Sequence, residues 1–470
     1  MARGPRVGGR EINHLLLPTL RTISLHDTLS GQVLPLRPRD AGHVGIYVCG
    51  PTVYDRIHVG NARPFVVFSL LKRFLVHEGY NVTFVANITD VNDKIYDAAR
   101  AAGVPSAELA AEMAAAYIAD TDGLGLGRPD HEPRASETID EIVGLIERLI
   151  ETDHAYAVEG DVYFAVRSYP AYGELSHRDI DAMDQGEDVE GAGRKRDPLD
   201  FALWKTHKPD EDTAWDAPWG RGRPGWHIEC SAMAEHLLGV DFDIHGGGSD
   251  LIFPHHENEA AQTCAARGAP LTRLWVHNGM LRLDDTKMSK SAGSVALLRD
   301  ALTAQGRDAL LMYFCEGHYR QPVAYDEERL TEAAARVARI REAARGLRPG
   351  PSAPWSAPLR EEFFDALATD FNTPRALAAV SDWVREANRA EEAVGDEDLR
   401  EMLAVLGLEN LLEAPASEPP AEVLALLEDR ERARADRDWD EADRLRVEIR
   451  ALGWEVRDGG QGGPELVVGS

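Results

Sequence analysis

The sequence is poor in cysteine, in long apolar runs and in net positive charge. Only four of its 470 residues are cysteine, which is too few for a disulfide scaffold and fits a reducing, cytoplasmic environment. No stretch approaches the roughly 20 apolar residues that a membrane-spanning helix needs, so we expect no association with a membrane. A net charge of −29 disfavours nonspecific binding to nucleic acid. A nucleic-acid partner would therefore have to meet local basic patches.

Length and composition indicate a globular chain of roughly two to four domains. The chain is 44% hydrophobic and 28% charged, which allows a large buried core. Residues 1–21 are rich in arginine, and no small-residue cleavage site follows their short apolar stretch. We interpret this segment as a flexible N-terminal extension.

The order of elements near the start of the chain predicts a parallel α/β sheet. Gly45–Cys49 has the apolar character of a buried strand, and apolar residues at helical spacing follow it. For this helix we predict Asn61 as the N-cap, Pro64 in the first turn and Gly79 as the stop signal. A second strand is predicted over 82–89.

Two more helices are predicted downstream, over 106–120 and 138–152. Thr138 and Glu141 have the spacing of a capping box at the start of the second helix. The polar stretch 174–197 predicts an exposed insertion, after which the sheet resumes near residue 242.

After about residue 330 the sequence becomes rich in alanine, glutamate and arginine at helical spacing. Proline clusters at 349–354 and 415–420 mark the predicted boundaries in this part. The full predicted division is an extension 1–21, an α/β domain in two halves, 22–140 and 220–271, an inserted connective domain 141–219, a lysine-loop and stem-contact region 272–335, a helical bundle 336–414 and a C-terminal domain 421–470.

Four residues have side chains suited to a soft divalent metal ion, namely Cys49, Cys230, His255 and Glu259. The last two are four positions apart, so they share one face of the helix that Pro254 is predicted to open. Spacing alone leaves an alternative, because isolated buried cysteines behave as small hydrophobic residues. We interpret the other two cysteines in that way.

Two segments are candidates for phosphate binding. His58-Val59-Gly60-Asn61 lies between a strand and a helix start, where unpaired N–H groups and the helix dipole favour an anion. The alternative is that Asn61 only caps the helix. The lysine segment, Lys287-Met288-Ser289-Lys290-Ser291, carries two ammonium groups that act as point charges on phosphate. Its alternative is a solvated basic turn.

Taken together, these residues resemble class I aminoacyl-tRNA synthetases, and the surrounding motifs resemble the cysteinyl-tRNA synthetase family over most of the chain. Besides the two phosphate-binding candidates, the resemblance is carried by Tyr47–Asp55, Asn87–Asp90, Gly225–Met233, Phe242–Asp250 and Pro254–Glu259. It implies a Rossmann-like α/β catalytic domain with an insertion, followed by a helical bundle and a small C-terminal anticodon-binding domain. Asn61 stands where the class signature often has a second histidine.

The resemblance implies that Cys49, Cys230, His255 and Glu259 bind one zinc ion per subunit. An apolar pocket separates near-isosteres such as serine and cysteine by only about 1–3 kcal/mol. Zinc favours the softer sulfur ligand and promotes its deprotonation. We therefore expect the metal, rather than an editing domain, to select the amino acid.

The implied reaction activates L-cysteine with ATP to cysteinyl-adenylate and transfers the cysteinyl group to the 3′ end of tRNA(Cys). The attacking carboxylate is already ionised, so catalysis rests on positioning and charge neutralisation. His58 and Asn61 are implied near the α-phosphate, and Lys287 and Lys290 on the triphosphate, with Mg2+ bound to ATP. The implied substrate-binding residues are Gly50, Thr89, Trp226, Gly246, Gly247, Gly248, Asp250, Ser289 and Lys290.

Two of these assignments have simpler alternatives. Trp226 could be an ordinary core aromatic residue. The three consecutive glycines could form a plain turn rather than approach a nucleotide.

Residues 336–348 carry five arginines and one glutamate within an acidic protein. A run of this kind is usually a solvated helix face, although contact with the tRNA backbone is the alternative. The candidates for tRNA contact are Arg336, Arg339, Arg341, Arg345 and Arg348. The family resemblance implies a monomer.

Two rival functions remain at this stage. The cysteine ligase of mycothiol synthesis makes the same adenylate but transfers cysteine to an amino sugar. That family lacks the anticodon-binding end, so residues 421–457 favour the synthetase. A noncatalytic, zinc-stabilised RNA-binding module is the second rival, and His58, Lys287 and Lys290 argue against it.

Overall fold

The computed structural model describes residues 21–182, 193–283, 286–287, 296–413, 420–435, 438–457 and 465–468. The first elements are β1 Ser24–Asp27, β2 Gln32–Pro35, β3 His43–Val48, α1 Val59–His77, β4 Asn81–Ala86, α2 Asp93–Ala102, α3 Ser106–Asp122 and α4 Ile139–Glu151. Next come β5 Ala155–Val158, β6 Asp161–Phe164, β7 Phe201–Thr206, β8 Gly222–Pro224, α5 Trp226–Leu238, β9 Phe242–Gly248, α6 Glu257–Arg267 and β10 Thr272–Asn278.

The remaining elements follow the central sheet in the chain. They are β11 Leu281–Leu283, β12 Thr286–Lys287, α7 Leu298–Gln305, α8 Arg307–Glu316, β13 Val323–Ala324, α9 Glu327–Ala344, α10 Ser356–Ala368, α11 Thr373–Ala387 and α12 Glu397–Val405. The C-terminal part has α13 Ala421–Ala435, α14 Trp439–Ala451, β14 Trp454–Arg457 and β15 Glu465–Val468. Residues 1–20, which hold nearly all of the predicted flexible extension, lie outside the described residues.

The central sheet has the strand order β10-β9-β3-β4, and all of its neighbouring strands are parallel. Both faces are covered by helices, as a parallel sheet requires. Ile46 of β3 and Phe68 of α1 belong to the core on one face, whereas Tyr47 of β3 and Met233 of α5 belong to the core on the other. The predicted α/β class is confirmed.

Helix α1 begins earlier than predicted, and its cap is different. His58 is the N-cap: its Nδ1 accepts a hydrogen bond from the Asn61 N–H, and Asn61 Oδ1 accepts one from the His58 N–H, both at 3.2 Å. The prediction of Asn61 as the N-cap is therefore wrong, because this reciprocal pair places Asn61 at the third helical position. Pro64 consequently lies inside the helix, beyond the predicted first turn, and Gly79 follows its end as expected.

Helices α3 and α4 match the predicted ranges to within two residues, but the predicted capping box at Thr138 does not form. Thr138 follows a short 3-10 turn, Ala135–Glu137. Its hydroxyl donates backwards to the carbonyls of Arg134 and Ala135, at 3.1 and 3.2 Å. A hydroxyl turned toward the preceding turn cannot accept from the N–H groups of the new helix.

The chain between α4 and α5 forms a four-stranded antiparallel sheet of order β5-β6-β7-β8. This sheet has a core of its own, in which Phe164 and Phe201 pack with Ile146 of α4. The predicted exposed insertion 174–197 is described in part and lies between β6 and β7. Its first residues are not simply exposed, because Leu175 is buried.

Helices α9 to α12 follow β13, and α13 and α14 are followed by the β14–β15 hairpin. Two sheets extend past predicted domain boundaries. Strand β8 belongs to the inserted sheet although it lies after the predicted boundary at residue 219, and β10 belongs to the central sheet although it lies after the one at residue 271. The division into domains stays a prediction. Within the described ranges, none of the helices combines the length and the apolar character needed to cross a membrane.

Candidate metal centre and nucleotide-binding region

The candidate site lies at the carboxyl ends of the parallel strands, where open α/β sheets bind their ligands. Cys49 directly follows β3, Asn87 directly follows β4, and β9 ends in the glycines at 246–248. Helix α1 begins beside this edge with His58 as its cap, and α5 begins with Trp226. The sheet therefore gathers motifs that are far apart in the sequence.

The four predicted metal ligands meet at this edge. The ligand atoms of Cys49, Cys230, His255 and Glu259 all lie within 4.8 Å of one another, and all four side chains are buried. Glu259 Oε1 lies 3.3 Å from Cys49 Sγ and 3.1 Å from His255 Nε2. Two thiols, an imidazole and a carboxylate are a donor set that suits zinc.

The helix that carries Glu259 starts later than predicted. Helix α6 begins at Glu257, and residues Ile252–His256 form a wider turn of the π type. Phe253 has extended dihedral angles, φ −136° and ψ 133°, because the residue before a proline is pushed away from the helical region. The prediction that Pro254 opens the helix is wrong, although His255 and Glu259 still face each other.

Burial favours the neutral forms of the Cys49 thiol and the His255 imidazole. It raises the pKa of the Cys49 thiol well above its ordinary value. It also lowers the pKa of His255 to about 3, so the imidazole offers a lone pair at neutral pH. Both thiols would release a proton when a metal ion binds, as thiolate coordination requires.

A second layer of histidines orients the candidate ligands. His255 Nδ1 lies 2.9 Å from His227 Nδ1, which leaves Nε2 turned toward the cluster. His245 Nε2 lies 3.0 Å from Glu259 Oε2. His256 Nε2 is buried, ends 3.9 Å from Glu259 Oε1 and has no hydrogen-bond partner among the described residues. Outer partners and an orphaned nitrogen of this kind fit a bound metal ion.

Sequence reasoning did not assign a role to these surrounding histidines. His245 and His256 form an overlapping set with Cys49 and Glu259 that could also hold a metal ion. His277 extends the group, since its Nε2 lies 2.7 Å from His256 Nδ1. The available signal was the density of histidine between residues 245 and 256, where three of the chain's 16 histidines occur.

His58 and Asn61 form the start of α1, beside residues that follow the lysine segment in the chain. Because His58 Nδ1 accepts from Asn61, a neutral His58 ring carries its proton on Nε2. The Val59 N–H donates to the carbonyl of Ala296 at 2.9 Å, which brings the residues after the lysine segment to this turn. Lys287 pairs through its backbone with Arg282, whereas Ser289 and Lys290 lie outside the described residues.

Three of the predicted substrate-binding residues have defined contacts at this edge of the sheet. The Gly50 N–H donates to Asn87 Oδ1 at 3.0 Å, and Asn87 Nδ2 donates to Thr89 Oγ1 at 3.2 Å. A Cβ atom on Gly50 would lie 1.7 Å from the Asn87 carbonyl oxygen, so only glycine fits there. Trp226 is half-buried and its ring stacks on His255, with the ring centroids 4.3 Å apart. Trp226 therefore lines the cluster, and Asn87 joins the candidate residues.

The packing of the protein itself leaves little room for side chains at the glycines that end β9. A Cβ atom on Gly246 would come within 2.1 Å of the Phe68 ring. On Gly247 it would meet His256 at 2.9 Å, and on Gly248 it would meet Asp250 Oδ1 at 2.5 Å. Contact of these glycines with a nucleotide stays a prediction.

The arginine run after residue 335 is less cationic in the fold than in the sequence. Arg336 pairs with Glu316 at 3.0 Å, Arg341 with Asp308 at 2.6 Å, and Arg345 with Glu342 at 3.0 Å. Glu316 and Asp308 belong to α8, so they are not visible within the run. The role of the five arginines in tRNA binding stays a prediction.

Comparison with protein families covers most of the chain. Residues 35–335 match the tRNA synthetases class I (C) catalytic domain, residues 362–411 match the DALR domain, and residues 416–462 match the cysteinyl-tRNA ligase anticodon binding domain.

Curated relatives agree with these matches over nearly the whole length. The cysteine-tRNA ligase of Pseudothermotoga lettingae is 44% identical over 93% of this chain and 97% of its own length. That of Alkalilimnicola ehrlichii is 45% identical over 94% of this chain and 98% of its own. Among solved structures, Mycobacterium tuberculosis methionyl-tRNA synthetase in complex with methionyl-adenylate is 17% identical, with a TM-score of 0.57 over 79% of this chain and 89% of that one. This last similarity shows the class I fold.

Proposed function

This chain belongs to the cysteinyl-tRNA synthetase family, and we propose that Cys49, Cys230, His255 and Glu259 hold one zinc ion beside its amino-acid substrate. The enzyme is a cysteine-tRNA ligase, which activates L-cysteine with ATP and transfers the cysteinyl group to tRNA. The observation that carries the metal proposal is the meeting of four buried donor side chains within 4.8 Å.

Zinc in this place would supply discrimination between cysteine and serine, because it prefers sulfur to a hydroxyl oxygen and favours the thiolate form. Discrimination of four to five decades requires about 5.5–7 kcal/mol. An apolar pocket supplies only about 1–3 kcal/mol for such near-isosteres. The ring of Trp226 stacks on His255 and so lines one side of the cluster.

Adenylate formation uses groups at the first turn of α1 and in the lysine segment. An oxygen of the cysteine carboxylate attacks the α-phosphorus of ATP, and the bond from this phosphorus to the pyrophosphate oxygen breaks. His58 donates from Nε2–H to a nonbridging oxygen of the α-phosphate, where negative charge is held in the transition state. Asn61 fixes the tautomer and orientation of His58 through the reciprocal cap.

The remaining predicted residues bind and neutralise the substrates. Lys287 and Lys290 neutralise the leaving pyrophosphate together with Mg2+ carried by ATP, and Ser289 lies between them in sequence. Gly50 and Thr89 are held by Asn87 at the substrate edge. Thr89 and Asp250 bind the amino group or the adenylate, and the three glycines at 246–248 line the nucleotide.

Transfer to tRNA engages the C-terminal half of the chain. The anticodon-binding domain at 416–462 implies a tRNA partner, which we propose is tRNA(Cys). Among the five candidate arginines, only Arg339 and Arg348 have no carboxylate partner identified among the described residues, and these two are the stronger candidates for phosphate contacts. We propose a monomeric, cytoplasmic enzyme.

Cysteine-dependent exchange between ATP and pyrophosphate tests this function. The zinc-loaded protein should catalyse exchange with cysteine, and serine should be at least about 10⁴-fold less effective in kcat/KM. Adding tRNA(Cys), and in a parallel reaction the amino-sugar acceptor of mycothiol synthesis, identifies the acceptor. Absence of exchange would refute the enzymatic reading in favour of an RNA-binding module, and equal use of serine would refute the proposed role of zinc.

A further inference from the structure

Arg63 is a buried cation bonded to backbone carbonyls in place of a carboxylate. It lies on α1, five residues after His58, and its exposed fraction is 1%. Nη1 donates to the carbonyl of Gly279 at 2.6 Å, and Nη2 donates to that of Gln321 at 2.8 Å. Longer bonds of 3.3 Å reach the carbonyls of Met280 and His318. None of the ion pairs found among the described residues involves Arg63.

Such an arrangement is costly, because a desolvated guanidinium normally pairs with an anion. Burial lowers the pKa of Arg63 to about 10, so the group keeps its charge at neutral pH. Its planar fork can reach two separate backbone segments at once, which a lysine ammonium cannot do with the same geometry. A hydrophobic residue at this position would fill the core without the desolvation penalty that the arginine carries.

The first of these two segments leads into the lysine segment. Gly279 and Met280 directly precede β11, and Arg282 of β11 pairs with Lys287 of β12. A Cβ atom on Gly60 would lie 3.7 Å from Leu281 Cβ, so the start of β11 packs against the first turn of α1. Gly279 and Met280 form the entrance of the lysine segment. Arg63 thus attaches this entrance to α1, the helix that His58 caps.

The exit of the lysine segment is attached to the same place. The Leu298 N–H donates to the carbonyl of Ile57 at 3.1 Å, and the Val59 N–H donates to that of Ala296 at 2.9 Å. His58 and Leu297 also form an isolated antiparallel bridge. Main-chain bonds hold this exit, whereas the bonds from Arg63 to Gly279 and Met280 are side-chain bonds at the entrance.

The second segment that Arg63 contacts is the turn 318–321. Hydrogen bonds to Asp370 also hold this turn. Asp370, in the turn between α10 and α11, accepts from the Tyr319 hydroxyl at 2.9 Å and from Arg320 Nε at 2.8 Å. Asp370 also accepts from the His26 N–H at 2.9 Å. Arg63 therefore bonds to a turn that is fixed from its other side.

We propose that Arg63 is a positioning residue for adenylate formation. It fixes Gly279 and Met280, which lead into β11 and then into the lysine segment, relative to the helix that His58 caps, and adenylate formation depends on that position. This inference rests on the proposed roles of His58 and the two lysines. A displacement of reacting groups by 1 Å can lower a rate by about 100-fold, which sets the scale of the effect.

The variant Arg63→Lys tests the proposal, with Arg73→Lys as the matched control. Arg73 lies on the same helix and also donates to a carbonyl, that of Ala404 at 2.8 Å, but it faces the helical bundle. For Arg63→Lys we expect kcat for ATP–pyrophosphate exchange to fall about 100-fold. Zinc content, KM for cysteine and single-turnover transfer from preformed cysteinyl-adenylate to tRNA should stay within about twofold. Arg73→Lys should leave all four quantities within about twofold.

The selective loss of adenylate formation distinguishes positioning from a general structural role. Wild-type exchange in a folded, zinc-containing Arg63→Lys protein would overturn the proposal, as would equal losses in exchange and transfer. If that variant loses zinc, Gly279→Ala repeats the test with Arg63 intact, because a Cβ atom there would meet the Gln321 carbonyl at 2.4 Å. Wild-type exchange in Gly279→Ala, or failure of both variants to fold, would likewise refute positioning.

The role of the lysines is tested separately by Lys287→Ala combined with Lys290→Ala. Loss of exchange in this double variant is the expected result. Wild-type exchange would refute the proposed chemistry of the lysine segment, whatever Arg63→Lys shows.

Discussion

Histidines in two regions of the molecule have opposite charge behaviour. In the candidate metal centre, burial lowers the pKa of both His255 and His277 to about 3. Where the end of α1 meets the helical bundle, burial also lowers the pKa of His77, but hydrogen bonds to Glu401 and Glu78 outweigh it and raise the value to about 9. At His255 burial outweighs the nearby Glu259 carboxylate, so the imidazole stays neutral and can accept a cation. At the less buried His77 two carboxylates outweigh burial, so the imidazole is a cation that forms part of the fold.

The residues around the histidines also differ between the two regions. Trp226 and Trp275 stack on His255 and His245 in the metal centre, with centroid distances of 4.3 and 4.6 Å. At the bundle interface, His77 stacks on Phe364 at 4.0 Å, and the same interface carries the paired charges of Arg360 and Glu401. The first region offers side chains that could hold a metal ion, and the second is already neutralised by its own ion pairs.

Removing a ligand from the metal centre should have the largest effect. We expect Cys230→Ser to lose zinc during purification and to lose cysteine-dependent exchange, because a hydroxyl is a poor replacement for a thiolate ligand. Metal analysis and the exchange assay measure both. Cys264→Ser is the matched control, since Cys264 lies outside the cluster and is only partly buried. Full zinc content and activity in Cys230→Ser would disprove the ligand assignment.

Removing an outer partner should have an intermediate effect. His245→Gln deletes the imidazole that contacts Glu259 Oε2, and loss of such partners typically weakens metal binding by about 10- to 100-fold. Competition with a chelator measures the zinc affinity, and one zinc ion per chain should still bind at saturation. His236→Gln, at a half-exposed histidine of α5, should change nothing. Complete loss of stoichiometric binding would instead make His245 a direct ligand.

Removing the cation at the bundle interface should have the smallest effect. We expect His77→Gln to lower the free energy of unfolding by about 1 kcal/mol at pH 6, since a partly exposed ion pair contributes modestly. The raised pKa means that this contribution is complete below about pH 6.5 and disappears as pH rises through about 9. Denaturation of both proteins at several pH values checks this, and a difference of the same size at pH 6 and pH 10 would contradict it.

Local features of the chain were predictable because near neighbours determine them. The spacing of His255 and Glu259 correctly placed the two side chains face to face, and the strand, helix and strand at the start correctly gave a parallel sheet. The prediction failed for the cap of α1, because Asn61 is a good cap by composition while the reciprocal bond with His58 depends on the actual chain path. Phe253 differs from this case, because the extended conformation of a residue before proline is a local property of the sequence.

The sequence alone was enough to identify the family resemblance and the four donor side chains for zinc. Both depend on residue types, their order and their short-range spacing. Packing of the whole chain was needed to bring Cys49 within 3.3 Å of Glu259, 210 residues away, and to surround them with histidines whose charge depends on burial. It was also needed to place Arg63 against carbonyls 216 and 258 residues further on. Contacts between residues so far apart in the sequence depend on how all the intervening elements pack. No local sequence pattern determines that packing.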